Sequence, residues 1–328
     1  MKHIKFIAIL VFLLSGWSGL RAYGESCQTP SAMQPATHSA LENTARQYFQ
    51  LAQQGNTAAL QQNATPGFTA LADIVSNNKA AFAGDVRTRI AYLLENAASS
   101  SQMSSDSSGR SEFFCGVYNS PERVVFAFPK LASGQYAVVI QDASGATPHT
   151  VSWILQQTGA QWKIADLILR PQKIGGHDAT WFVNQARAYK AKGQLHNAWF
   201  YYLTADQLLR PFGALSTPPL DRLYDEARQS MPNDLPYNGP VDLSAGGKTY
   251  KITQLFVAPV GDELDLVVKY QVPDISDTTK TFQDNTAVIK GLVAKYPEYR
   301  EAFGGVVARA VDPSGRDYGT LLAMNQVK

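Results

Sequence analysis

The chain reads as an α+β protein: N-terminal helices packed on a curved antiparallel sheet, a helical hairpin as bridge, and a C-terminal ββαββ unit. Three observations predict this. Apolar residues recur at helical spacing through Leu41, Ala45, Tyr48 and Ala52, then change to alternation from Glu112 onward. The stretch 178–211 carries apolar helical faces on both sides of Gly193. From Val241 the order is strand, strand, helix, strand, strand.

Residues Met1 to Gly24 read as a secretory signal. Lys2 and Lys5 precede an apolar run from Phe6 to Leu14, and Ala22 and Gly24 place small residues where a signal peptidase reads. That run is too short to cross a bilayer, and no later stretch is long and apolar enough. The expected location is secreted or periplasmic, with no transmembrane segment after cleavage. Removing Lys2, Lys5 and Arg21 takes the 29 basic residues to 26, against 27 acidic ones. No basic tract remains, so nucleic-acid binding has no electrostatic footprint. Two cysteines, Cys27 and Cys115, form an even pair, and in an exported protein that predicts a disulfide.

The predicted units are 25–171, 172–235 and 236–328. Residues Glu25 to Thr37 read as a flexible tail. The first helix ends at Gly55, and Thr57 to Gln62 is a short helical turn. Thr65-Pro66 reads as the start of a third helix carrying Phe68, Leu71 and Val75, and Val86, Ile90, Leu93 and Ala97 as a fourth. Ser99 to Ser111 is a serine-rich loop. Strands are expected at 112–118, 123–128, 136–141, 150–157 and 161–169, in an antiparallel meander.

With the leading helix at Leu41 to Gln54, its Gln54-Gly55-Asn56 exit and the closing hairpin SWILQQTGAQWKIADLIL, residues 39–170 resemble the nuclear transport factor 2-like superfamily. That resemblance implies a cone with an internal pocket, in a superfamily of enzymes, small-ligand binders and accessory domains. The hairpin resembles a single tetratricopeptide repeat through Ala186, Tyr189, Gly193, Leu195, Ala198, Tyr202 and Ala205. A lone unit of about 34 residues buries neither of its faces by itself. Helix two also holds Trp199, Phe200, Tyr201 and Tyr202 in succession, which cover every direction around its axis. This quartet is expected to be wedged between the flanking units.

After the hairpin, Leu220, Leu223, Ala227 and Met231 mark one more helix. In the last unit, Leu264, Leu266, Val268 and Tyr270 face one way, and Glu263, Asp265 and Lys269 the other. Phe282, Thr286, Ile289 and Val293 line its helix. One helix leaves a sheet face in need of cover, from the hairpin or from a second copy of the chain.

No HExxH, GxSxG, phosphate-binding loop or CxxC pattern occurs, and no cofactor or metal is expected. His38, His149, His177 and His196 lack ligand spacing and read as surface or capping residues. The aspartates and glutamate around Asp262 do not form a calcium loop. Asp166 is the one candidate base: Trp162, Ile164, Asp166 and Ile168 alternate on one face, and if that face lines a pocket, burial would raise the carboxyl pKa. The expected function is an exported non-enzymatic binding or scaffolding protein, with an unknown small molecule or protein as partner. The alternatives are a cone-pocket isomerase, dehydratase or hydrolase using Asp166, and a docking module built on the hairpin.

Overall fold

A computed structural model describes residues 25–96, 110–129, 131–261 and 263–328. Residues 1–24, which read as a signal, residues 97–109 with the serine-rich stretch, Lys130 and Asp262 lie outside the described residues. The fold is α+β, with seven α-helices and three mostly antiparallel sheets among the described residues.

The stretch expected to be a flexible tail instead begins with β1 (Ser26–Gln28), and helix α1 (Pro35–Gln53) starts at Pro35, whose fixed φ suits a first helical turn. Gly55, at φ 69°, ends α1 in a left-handed conformation that suits glycine. α2 (Thr57–Gln62) follows. The next helix, α3 (Leu71–Asn77), begins later than Thr65-Pro66 predicts. The backbone at 63–65 is used elsewhere: Thr65 N–H donates to Ile164 O and Ile164 N–H to Asn63 O, both at 2.8 Å.

The helix expected over 86–97 is a strand, β2 (Val86–Asn96). It pairs with both β1 and β5 (Gly134–Ala143), and its successive residues Ala91 to Leu94 are all buried. Ala91 and Leu93 face the helices, while Tyr92 and Leu94 face a second sheet. A strand covered on both sides has no polar face. A bulge at Arg89 further breaks the alternation, and the residual spacing mimics a helix.

Nor is there a single meander. β3 (Arg110–Cys115) and β4 (Val124–Pro129) leave the main sheet and pair with β8 (Leu215–Ser216) from beyond the hairpin. The main sheet has the order β1-β2-β5-β6-β7, with β6 (His149–Thr158) and β7 (Gln161–Pro171). Its helix side is filled by Leu41, Phe49, Phe82 and Trp153. Its other side packs Tyr92 and Ile140 against Phe113, Phe126 and Phe212. The Cys27–Cys115 disulfide joins the edge strand β1 to β3, so it ties the two sheets together. It closes 88 residues of chain, which in the chain-entropy account contributes at most about 4–5 kcal/mol.

Helices α4 (Ala179–Ala191) and α5 (Leu195–Leu209) form the hairpin, with Gly193 at φ 77° in the turn. The Asp178 carboxylate caps α4 by accepting from Trp181 N–H. α6 (Pro218–Arg228) starts with Thr217 as cap and two prolines in its first turn; Met231, expected on its buried face, lies beyond its end and is exposed.

The C-terminal sheet runs β13-β12-β11-β10-β9, from β9 (Val241–Ala245), β10 (Lys248–Val260), β11 (Glu263–Gln271), β12 (Gly305–Val311) and β13 (Asp317–Ala323). β9 adds a strand to the expected five elements. Helix α7 (Thr278–Lys295) is the crossover between the parallel strands β11 and β12. Ile289 and Val293 are buried as expected, but the first turns differ: Phe282 is exposed and Thr286 half-buried, while Asp284 and Asn285 point inward. Polar partners account for this. Asp284 accepts from Lys248, Lys280 and Tyr250, and Asn285 accepts from Tyr270 and donates to Thr320. Burial works against the Asp284 charge, but these donors outweigh it and hold its pKa below the ordinary carboxylate value.

Candidate functional site

Asp166 lies on an exposed position of β7. A bulge at Ala165 is the reason: Leu155 pairs with Ile164 and Ile154 with Asp166, so the alternation inverts between them. Ile164 and Leu167 enter the helix-side core, and Trp162 packs at its margin, half-buried. Among the described residues, the Asp166 carboxylate accepts only the adjacent Leu167 N–H. It therefore does not share a buried face with Trp162, and the placement a pocket base needs is not met. Trp153 occupies the centre of this half, its ring between Tyr48 and Phe82, with its indole N–H donated to Gln141 Oε1 at 2.8 Å.

Trp199, Phe200, Tyr201 and Tyr202 are all buried, in one cluster with strands β10–β12 and helices α4, α6 and α7. Tyr201 OH donates to Ala302 O at 2.6 Å, and Phe200 and Tyr201 both pack on Phe303. Tyr202 OH donates to Glu226 on α6, which also receives two bonds from Arg187 on α4. The Arg187 guanidinium, ahead of the opposing effect of burial, holds the Glu226 carboxyl down at about 2. The quartet thus ties the hairpin to α6 and the C-terminal unit. The main apolar contact with the first unit comes from the segment after the hairpin. Phe212 stacks on Phe126 and Phe128, with Leu215 and Leu220 beside it.

His196 is not a surface cap. Its Nε2 lies 2.8 Å from Asp234 Oδ1 and its Nδ1 3.3 Å from Glu298 Oε1, and its ring packs on Tyr296. Tyr296 OH donates to the other Asp234 oxygen at 2.7 Å. Burial opposes the Asp234 charge, but bonds from Tyr296 and His196 hold its pKa below the ordinary value. The adjoining cavity, beside Leu255 and Leu292, is only about 10 Å³, room for about one water. These groups are engaged with one another, and they act as a latch between the hairpin and the C-terminal unit.

The larger opening is a surface cleft of about 290 Å³ lined by Asn119, Ser120, Pro121, Arg123, Pro218 and Arg222. The β4–β8 register builds it. Val125 lies opposite Ser216, and just beyond this pair Arg123, before β4, and Pro218, opening α6, both line the cleft. The other wall is the β3–β4 turn, which follows directly on the disulfide cysteine Cys115. Asn119 there has φ 62°, a left-handed conformation asparagine tolerates better than most residues. Val117 and Tyr118, just before it, are 74% and 76% exposed.

Arg123 is the most constrained charge of this cleft. Its side chain is 25% exposed, and its Nε is buried with no acceptor among the described residues. Its Nη2 lies 3.7 Å from Asp221, whose other oxygen accepts from Ser216 at 2.7 Å. Arg222, on the exposed side of α6, adds a second positive charge. Two guanidiniums against one carboxylate leave the cleft basic, and a planar fork with a free donor suits a carboxylate or phosphate oxygen. Arg123 and Arg222 are far apart in sequence. The available signals are an arginine just after the Ser120-Pro121 turn and another on the polar face opposite Leu220, Leu223 and Ala227.

Among the described residues, no three histidine, cysteine or acidic side chains converge as a metal site. No known family model matches this chain, and no curated protein or solved structure is significantly similar to it.

Proposed function

We propose that this is an exported, non-catalytic binding or scaffolding protein of the cell envelope or extracellular space, which takes an acidic group of its partner in the Arg123–Arg222 cleft. The partner is a small molecule or a protein segment bearing a carboxylate or phosphate. The observation that carries the reading is the Arg123 side chain at the cleft wall, whose buried Nε–H has no acceptor among the described residues. A buried donor of this kind gains from an incoming oxygen without first giving up a protein partner. Export is supported by the signal-like N-terminus and by the Cys27–Cys115 disulfide, since such bonds persist in oxidising compartments. No helix among the described residues is long and apolar enough to cross a membrane.

Helices α1–α3 on one face of a five-stranded antiparallel sheet support a nuclear transport factor 2-like reading of the first unit, in an accessory role. Trp153, Phe49 and Phe82 fill the space where an internal pocket would open. The tetratricopeptide-like hairpin acts in this reading as a bridge, because its aromatic face is buried.

The test is a series of thermal melts in inorganic phosphate. Phosphate also stabilises proteins non-specifically, so the reading is the difference between the wild type and Arg123→Gln. A saturable rise in Tm that is absent in Arg123→Gln and reduced in Arg222→Gln is expected. Equal shifts in all three proteins would overturn the proposal.

A further inference from the structure

The hairpin does not cover the second face of the C-terminal sheet. Tyr250, Ile252, Leu255 and Val257 on β10, and Leu264, Leu266, Val268 and Tyr270 on β11, join one cluster with both α7 and the hairpin aromatics. Both elements therefore lie on the same side. The opposite face joins no core cluster; at its centre Val267 and Asp265 are only 6% and 3% exposed, while Phe256, Val260, Glu263 and Leu321 around them are exposed, and its side chains are ordered in rows across the strands.

The strand registers give the rows directly. Phe256 lies opposite Val267, Val267 opposite Val307, and Val307 opposite Leu321. This is an apolar row across four strands, with Phe256 37% and Leu321 48% exposed at its ends. Two residues along β11 in one direction is Lys269, which lies opposite Arg309. Two and four residues in the other direction are Asp265 and Glu263. Arg309 is held by Asp317 through bonds of 2.6 and 2.8 Å, whereas Lys269 has no carboxylate partner among the described residues. Its amine lies 5.9 Å from the Phe256 ring centroid. On the acidic side, Asp265 tucks against Gly305, where a Cβ would come 3.2 Å from its Oδ2, and its Oδ1 finds no donor among the described residues. Burial, and then the neighbouring Glu263, push its pKa up.

We propose that this face is the contact surface of a homodimer, whose twofold axis runs along the Phe256–Val267–Val307–Leu321 row. A rotation about that axis lays the apolar row on its own copy. It also carries the Lys269 side of one protomer over the side of the other whose exposed acid is Glu263. A twofold axis along the strands would instead set the basic row against the basic row. The face is thus self-complementary in one arrangement, which is what an isologous interface requires. Face-to-face sheets pack about 10 Å apart, close enough for Lys269 to span.

The size of the face sets the strength. Five strands at about 4.8 Å spacing and about 20 Å of length project to roughly 500 Å² per copy. The total of about 1,000 Å² sits at the low end of specific interfaces, so the dimer is reversible and not obligate.

Sedimentation equilibrium of the purified protein, from about 1 to 500 μM, tests this. The average mass should rise from monomer toward dimer with concentration. Leu321→Asp, at an exposed position, should keep the fold by circular dichroism and remain monomeric. Phe256→Glu serves the same purpose if Leu321→Asp disturbs the sheet. Lys269→Glu should weaken the dimer by roughly five- to tenfold, because the contact occurs twice. Adding Glu263→Lys to it should restore association. A protein that stays monomeric throughout, a dimer indifferent to Leu321→Asp and Phe256→Glu, or failure of the paired charge exchange to restore association overturns the proposal.

Discussion

The two large sheets each have five strands, but they are clothed differently. The N-terminal sheet has helices on one face and the β3-β4-β8 sheet on the other. The C-terminal sheet has α7 and the hairpin on one face only. The effect on the sequence is direct. Ala91 to Leu94 and Ala137 to Ile140 are unbroken buried apolar runs; β11 is also buried from Leu264 to Val268, but in sequence its uncovered face still carries Glu263, Asp265 and Lys269 between the core residues Leu264, Leu266, Val268 and Tyr270. Alternation therefore reports how many faces of a strand are covered. A strand covered on both faces can be mistaken for another element, and an uncovered face marks where a partner fits.

This contrast can be broken or sharpened by mutation. The largest effect is expected at the centre of the doubly covered sheet. Trp153→Ala should cost about 3–5 kcal/mol in denaturant unfolding, through the cavity and through the lost bond to Gln141. A loss under about 1 kcal/mol would mean that this core is loosely filled. Next comes the tie between the two N-terminal sheets. Replacing Cys27 and Cys115 together by serine should cost about 2–4 kcal/mol, read as a lower denaturation midpoint. Third is the polar core under α7. Asp284→Asn removes the charge that three donors share and should cost about 1–3 kcal/mol, mostly by weakening the bonds from Lys248 and Lys280.

A subtler handle is pH at the hairpin. Glu226 is held at about 2, below its ordinary value of 4.5, by Arg187 and Tyr202. Its folded pKa is depressed. The stability it contributes is therefore present above about pH 4.5 and lost as pH falls toward 2. Thermal melts over that window should show a steeper loss in the wild type than in Glu226→Gln; parallel curves would remove this pair from the account. The smallest effect belongs to the open sheet face. Leu321→Ala should change the stability of the dilute monomer by no more than about 0.5 kcal/mol.

What was legible in the sequence follows the same contrast. α1, the hairpin with Gly193, and β5 to β7 stand where the spacing puts them, because each has one polar face or a clear turn residue. The cysteine pairing is readable from the even count together with the signal-like start. The failures have local causes. β2 lost its alternation to double coverage and to the bulge at Arg89. The bulge at Ala165 turned Asp166 outward, and nothing in the spacing of Trp162, Ile164 and Ile168 announces an extra residue. Phe282 reads as inward by hydrophobicity, but Asp284 and Asn285 take that position because Tyr250, Tyr270 and two lysines satisfy them. Of the candidate cleft, neither arginine carries a motif or spacing that marks it. Only the β4–β8 pairing, across a whole helical hairpin, brings Arg123 beside α6.

The central claim is that the binding chemistry of this protein lies at its surface, at Arg123, and not inside the first unit. The direct measurement is an NMR titration with inorganic phosphate that follows the Arg123 Nε–H and Trp153 Nε1–H signals together. The account predicts a saturable shift of the Arg123 signal with the Trp153 signal unmoved. A stationary Arg123 signal, or a shift confined to Trp153, would contradict it.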